Sequence, residues 1–433
     1  MLDLHQIRAQ FPALESPTVF LDNPGGTQIA RQSLERIQSY LVNTNANHGG
    51  AFETSRQSDI LAETAHAAMA DFLNASRPEE IIFGPNMTTL TFSMSRALAR
   101  TFNPGDTLVV TRLDHDANIS PWLLAAEDRG CKIRWVDFNP EDCTLNLNDL
   151  EAALEEKPRL VAVGYASNAT GTINPVRTIT RMAHEAGALV YVDAVQYAAH
   201  GPIDVQNIGC DFLACSSYKF FGPHMGILYG RYDLLEELRA YKVRPAPALP
   251  PGKFETGTGN FEGMAGVLGA LEYFEWLGVT FGQEQAEALS SSYHGRKLIF
   301  KQAMKALRAY EFELNRAILQ ALEEIPGLTL YGIKDPLNLE SRLATFSFTI
   351  RGLAPRQITE HAGRQGINLW DGNYYALAVT ERLGLEGKGG MVRIGAVHYN
   401  TLEEINRFKQ MLRGLTAADF STRIAARLFA GDH

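Results

Sequence analysis

Ala188-Leu189-Val190-Tyr191-Val192-Asp193 and Phe212-Leu213-Ala214-Cys215-Ser216-Ser217-Tyr218-Lys219 decide how this chain is read. Each is a short, near-continuous apolar run closed by polar residues. Such runs fit strands buried on both faces, as in a parallel sheet covered by helices on either side. The pattern recurs upstream. Ile81-Ile82-Phe83 leads into a helical stretch near Thr88–Ala99, and Thr107-Leu108-Val109-Val110 into one near Ile119–Asp128. Leu160-Val161-Ala162-Val163 precedes a loop and a helix near Ile179–Ala186. Strands alternating with helices predict an α/β domain around a mostly parallel sheet.

After about residue 260 the pattern changes. Gly263–Leu277 reads as a helix, and Gln283–Glu324, rich in helix formers and free of proline, reads as one long helix. Ala344–Thr349, Ile358–Gln365, Met391–Val397 and Leu402–Leu412 then read as strand, helix, strand, helix. The expected division is an N-terminal segment 1–19 packed on the small domain, a large domain 20–280 and a smaller α+β domain 281–433.

Composition narrows the function. The chain has 433 residues, 45% of them hydrophobic and 21% charged, which excludes disorder, collagen and coiled coil as its main theme. A net charge of −9 disfavours nucleic acid as a partner. No apolar run approaches the roughly 20 residues that span a bilayer, so no membrane is expected. Met1-Leu2-Asp3-Leu4-His5-Gln6 lacks the basic and apolar regions of a signal peptide. The four cysteines are too few for a disulfide framework and form no CxxC pair, so the expected compartment is the cytoplasm. No HExxH or other metal-ligand spacing is present, and no metal is expected. Gly257-Thr258-Gly259 starts like a dinucleotide fingerprint, but Glu262 stands where its third glycine belongs.

Ligands of open α/β sheets bind at the C-terminal ends of the strands. Past the expected strands come Thr88-Thr89, Asp114-His115-Asp116, Ser167-Asn168, Asp193 with Gln196, and Ser216-Ser217-Tyr218-Lys219. Singly, each has an ordinary reading: Thr88-Thr89 and Asp193 as helix caps, His115 as a loop histidine, Lys219 as a surface lysine. Together they place on one rim what pyridoxal phosphate chemistry requires. A helix N-terminus holds a phosphate. A lysine forms a Schiff base with the cofactor aldehyde, and a carboxylate keeps the pyridine nitrogen protonated. An imidazole stacks on the ring.

At Tyr191–Gln196 and Ser216–Pro223 the sequence resembles the class V aminotransferases of fold type I, most closely their cysteine desulfurase-like branch. Phe20-Leu21-Asp22-Asn23, Asn47-His48-Gly49-Gly50, Asp114–Asn118, Ser167–Thr172, Phe254-Glu255-Thr256-Gly257-Thr258 and Arg393-Ile394-Gly395 follow in the family's order. The resemblance implies a large domain with a mostly parallel seven-stranded sheet and a homodimer with shared active sites. Lys219 matches the Schiff-base lysine, Asp193 the partner of the pyridine nitrogen, and His115 the residue stacked on the ring. Gln196 and Asn168 match groups near the ring hydroxyl. Thr88, Thr89 and Ser216 match phosphate ligands, and Thr258 one given by the second subunit. Arg393 matches the clamp for the substrate carboxylate.

Two departures stand out. Tyr218 replaces the histidine that desulfurases carry before the lysine, with its hydroxyl as a phosphate donor. In Asn368-Leu369-Trp370-Asp371-Gly372-Asn373-Tyr374-Tyr375-Ala376, Tyr375 stands near the persulfide-forming cysteine and Trp370 near the arginine before it. Trp370, Asp371, Tyr374 and Tyr375 are expected to shape the side-chain pocket. No cysteine follows Cys215. The expectation is a pyridoxal phosphate enzyme acting on an α-amino acid by lyase-type cleavage at the β-carbon, through elimination or decarboxylation. Aminotransfer or epimerisation is the alternative. A non-catalytic binding protein on the same scaffold is the alternative of another class, opposed by the intact Lys219, Asp193 and His115.

Overall fold

Burial on both faces, inferred from the apolar runs, is what the strands show. The computed structural model describes residues 2–430; residues 1 and 431–433 of the expected terminal units lie outside the described residues. A short strand β1 (Val19–Phe20) precedes seven that form the main sheet. These are β2 (Ile81–Gly84), β3 (Thr107–Thr111), β4 (Lys132–Val136), β5 (Leu160–Gly164), β6 (Leu189–Asp193), β7 (Phe212–Ser216) and β8 (Gly226–Gly230). Their order is β2-β8-β7-β6-β5-β3-β4. Strands β4, β3, β5, β6 and β7 are mutually parallel, and β8 runs against both its neighbours.

Period-two alternation splits the core into two layers. Leu108, Val110, Tyr191 and Phe212 face one way, with Leu90, Met94 and Leu98 of the helix Met87–Ala99 and Trp122 of Ser120–Arg129. Val109, Val190, Leu213 and Cys215 face the other, with Met69 and Phe72 of Glu53–Leu73 and Leu271 and Phe274 of Phe261–Phe281. Both layers are needed because the inner strands are buried along their length on both faces.

The C-terminal part is a four-stranded antiparallel sheet. It is built from β9 (Leu328–Tyr331) and β10 (Thr345–Ile350) and, after β11 (Ile367–Asn368), from β12 (Trp370–Gly372) and β13 (Met391–Gly395). Its order is β12-β13-β10-β9, and β1 pairs in parallel with β11. The N-terminal segment reaches both regions. Arg8 donates to the Tyr399 carbonyl at 2.8 Å, while Phe11 packs edge-on against Phe221 and Tyr273.

The expected single helix Gln283–Glu324 is interrupted. A turn at Gln283–Gln285 and a short helix Ala286–Leu289 end before the helix Gly295–Glu323 begins. Serines at 290–292 offer the backbone competing hydrogen bonds, as Ser290 Oγ does to the Glu287 carbonyl at 3.0 Å. Gly295 then adopts φ 56°, which restarts the chain in a new direction. Among the described residues no helix is long and apolar enough to cross a membrane.

Candidate active site

The ends of β2, β3, β5, β6 and β7 open into one cavity of about 980 Å³. It is lined by Thr88, Thr89, His115, Asn168, Asp193, Gln196, Ser216, Tyr218, Lys219, Trp370, Tyr375 and Arg393. The structure thus gathers every singled-out residue but one. Thr258 lies outside, on an exposed loop before the helix Phe261–Phe281.

The helix Met87–Ala99 starts at this cavity because Asn86 caps it, its side chain accepting from the Thr89 amide at 2.8 Å. Ser216, ending β7, accepts from the Met87 amide at 3.2 Å. Gly226 lets this turn come close, since a Cβ there would lie 2.3 Å from the Asn86 carbonyl carbon. The result is a helix N-terminus with hydroxyls around it, suited to an anion.

Lys219 follows β7 in a tight turn, and its Nζ donates to the Pro24 carbonyl. Burial and Arg393 push its amine down to about 7, against the pull of Asp193. Burial lifts the Asp193 carboxyl to about 6, opposed by the Val195 amide it accepts at 2.9 Å and by Lys219. Asp114 rises to about 7, chiefly by burial. His115 is held down to about 4 by burial and by the cations Lys219 and Arg393. Its Nδ1 accepts from the Ala117 amide at 3.0 Å, so the neutral ring carries its proton on Nε2. These are desolvated groups of opposite sign at close quarters, the setting in which acid–base chemistry is tuned.

Arg393, on β13, ties its sheet to the loop after β5 by donating to the Asn168 carbonyl at 2.9 Å. Its Nε is buried without a partner, and the Tyr374 ring lies 4.2 Å from the guanidinium. Asn168 Oδ1 and Gln196 Oε1 are likewise buried and unpaired, although the Nδ2 and Nε2 of the same amides bond Tyr374 and Thr345. Orphaned polar atoms facing one cavity mark a place built for a polar ligand. Tyr374 and Tyr375 both adopt left-handed backbone, φ 57° and 58°. Their carbonyls are fixed by Asn168 Nδ2 at 3.0 Å and the Asp116 amide at 2.7 Å, so the strain is held in place. None of the four cysteines lines the cavity, and Cys143, Cys210 and Cys215 are buried elsewhere.

One residue went unnoticed in the sequence. The Pro24 carbonyl that receives Lys219 sits in the Asn23–Gly25 turn, for which no role was drawn from the opening motif. Tyr374, expected among the residues that shape the pocket, does line the cavity, and its ring lies beside Arg393.

Comparison with known proteins agrees with this geometry. The family model described as "Aminotransferase class-V" matches residues 19–296 and 294–408. The chain belongs to the class V aminotransferase family. An "Aminotransferase-like protein FGM3" of Gibberella zeae is 34% identical over 93% of this chain and 96% of its own length. A "Cysteine desulfurase" of Pectobacterium atrosepticum is 31% identical over 93% and 96%. Among solved structures, the apo cysteine desulfurase of Thermococcus onnurineus NA1 superposes with a TM-score of 0.85 at 26% identity, covering 96% of this chain and 99% of that one. As a class V aminotransferase, the protein is a pyridoxal-phosphate-dependent enzyme of fold type I, which the seven-stranded sheet and the smaller antiparallel sheet display. The cavity fits that cofactor, with its anion site, its buried lysine and carboxylate, and two unpaired amide oxygens.

Proposed function

We propose that this homodimeric enzyme binds an α-amino acid and expels its β-substituent by elimination, without forming a protein persulfide. The observation that carries this reading is that Lys219, Asp193 and Arg393 line one cavity and no cysteine does. In this reading Thr88, Thr89, Ser216, Tyr218 and the partner's Thr258 hold the cofactor phosphate, while Asn168 and Gln196 meet its ring substituents. When bound, pyridoxal phosphate supplies an aldehyde that condenses with amines and a ring that draws electrons from the substrate Cα.

The chain's own residues do the rest. Asp193 holds a proton on the ring nitrogen, and desolvation makes that charge pair strong. His115, neutral because it is buried among cations, covers the ring without competing for its charge. Arg393 grips the substrate carboxylate with its fork, which favours keeping that group over losing it and so argues for elimination over decarboxylation. Lys219, with an amine pushed down to about 7, is the base that takes the Cα proton near neutral pH. Loss of the β-substituent leaves an enamine, and water converts it to a 2-oxo acid and ammonium. No thiolate that a sulfur handover requires lines the cavity, and burial raises the thiols of Cys131, Cys143, Cys210 and Cys215.

The test is a product screen of the holoenzyme with cysteine, S-alkylcysteines, O-acetylserine and 3-chloroalanine. Pyruvate and ammonium in equal amounts are expected. Alanine with a protein-bound persulfide, amino transfer to an added 2-oxo acid, or racemised substrate as the sole product overturns the proposal.

A further inference from the structure

His66 and Glu255 lie outside the cavity and take no part in the chemistry proposed for it. His66 sits in the helix Glu53–Leu73 and is 8% exposed. Its Nδ1 is 2.7 Å from the Ala62 carbonyl oxygen and its Nε2 is 2.8 Å from Glu255 Oε1. A carbonyl oxygen only accepts, so Nδ1 carries a proton. Glu255 Oε1 also accepts from the Phe83 amide at 2.7 Å, as an ionised carboxylate does, so Nε2 carries a proton too. Both ring nitrogens therefore donate, and the ring is a buried imidazolium. The Phe83 ring closes over it edge-on, with centroids 4.8 Å apart.

The pair joins two segments that matter. Phe83 lies in β2, which leads to Asn86, Thr88 and Thr89 at the cavity. Glu255 is followed at once by the exposed loop carrying Thr258. We propose that His66 and Glu255 are positioning residues: their charged bond sets the Thr258 loop against β2, so one joint aligns the phosphate-binding segment of this cavity and the segment offered to the partner's. The proposal rests on the reading that Thr258 serves the partner's site.

The clamp has a pH sense. The groups facing His66 are Glu255 from the loop and Glu79 from the turn before β2, both acidic, with the Ala62 carbonyl on its own helix. Burial lowers its pKa, but the Glu255 bond and charge outweigh that and raise it overall. A raised pKa means the charged form of the clamp is fully made below the ordinary histidine range and is lost as pH rises through the folded value. Above that value the proton leaves Nδ1, which faces only the Ala62 carbonyl, while Nε2–H still donates to Glu255, so the bond persists without its charge and is weaker.

The experiment follows release of pyridoxal 5'-phosphate from the holoenzyme on dilution, by absorbance, between pH 6 and 9. Wild type, His66→Gln, Glu255→Gln and Thr258→Ala are compared, with folding and dimer size checked by circular dichroism and light scattering. The wild type should release cofactor faster as pH rises. His66→Gln and Glu255→Gln should release it about fivefold faster at pH 6.5 and lose the pH dependence. Glu255→Gln keeps an acceptor for the Phe83 amide, so it carries the test alone should His66→Gln fail to fold. Folded Gln variants with wild-type rate and pH profile overturn the clamp, and fast release from Thr258→Ala alongside them leaves the Thr258 reading standing. Wild-type release from Thr258→Ala overturns that reading, and with it the purpose assigned to the clamp.

Discussion

Replacing Gly226 by alanine should damage cofactor binding more than its position, remote from any reacting group, suggests. Gly226 opens β8 between Gly84 of β2 and Ser216 of β7. Its new Cβ would meet backbone only: the Asn86 carbonyl carbon at 2.3 Å, and the Asn86 Cα and oxygen at 2.7 Å. Ordinary contact begins at 3.4 Å, so the turn must retreat by about 1 Å. That stretches the Met87 amide bond to Ser216, now 3.2 Å, beyond hydrogen-bonding range. Overpacking of this kind costs about 1–3 kcal/mol, and the lost hydrogen bond about 1 kcal/mol more. If about 2 kcal/mol of this falls on the helix N-terminus, affinity for pyridoxal phosphate drops roughly 30-fold. Titration of apoprotein with pyridoxal phosphate, followed by tryptophan quenching, measures it. Gly84→Ala is the control, because the nearest atoms to its Cβ, at 2.6 Å and beyond, belong to the Leu90 side chain and not to backbone. It should bind within about threefold of wild type. Wild-type affinity in Gly226→Ala, or an equal loss in both variants, refutes the account of how the anion site is held.

Lys219 in the apoprotein should react with cyanate half-maximally near pH 7, the rate rising with pH because only the neutral amine attacks. Mass spectrometry locates the adduct, and a midpoint near 10 contradicts the assigned burial. Asp193→Asn should lower kcat by about 100-fold or more while KM changes little, measured by pyruvate release. Arg393→Lys should raise KM for the amino acid about tenfold or more through loss of the bidentate fork, with kcat nearly kept. A variant with all four cysteines replaced by serine or alanine should lose stability, by about 1 kcal/mol at each buried position, yet keep its turnover; loss of turnover with the fold intact refutes the thiol-free reading.

The legible part of the fold is the part whose burial is local. Strands β2, β3, β5, β6 and β7 announced themselves because every position, or nearly every one, is apolar. Strand β4 escaped notice because Lys132 and Arg134 point outward from an edge strand, and β8 because glycines bracket its three apolar residues. The site was legible for the same reason: Asp193 ends β6, while Lys219 lies just past β7, as the topology of parallel sheets demands. The Pro24 carbonyl and the approach of the Tyr374 ring to Arg393 were not, since contacts between distant segments set them. Asn23 Nδ2 holds the Pro24 turn through the Gly395 carbonyl at 2.8 Å, 372 residues away.

That long bridge also sets a timetable for the nascent chain. The turn that receives Lys219 is synthesised near the beginning, but Gly395, Tyr399 and Asn400, which hold it through Asn23, come near the end. At 5–20 residues per second the ribosome needs roughly 20–75 s to cover that interval. For the second half of it the first turn and Lys219 both exist, yet the seat joining them does not. Cofactor loading into the finished cavity therefore waits until Gly395 has been made. A chain stalled before Gly395 would carry the sheet and its lysine without the carbonyl positioned to receive the amine.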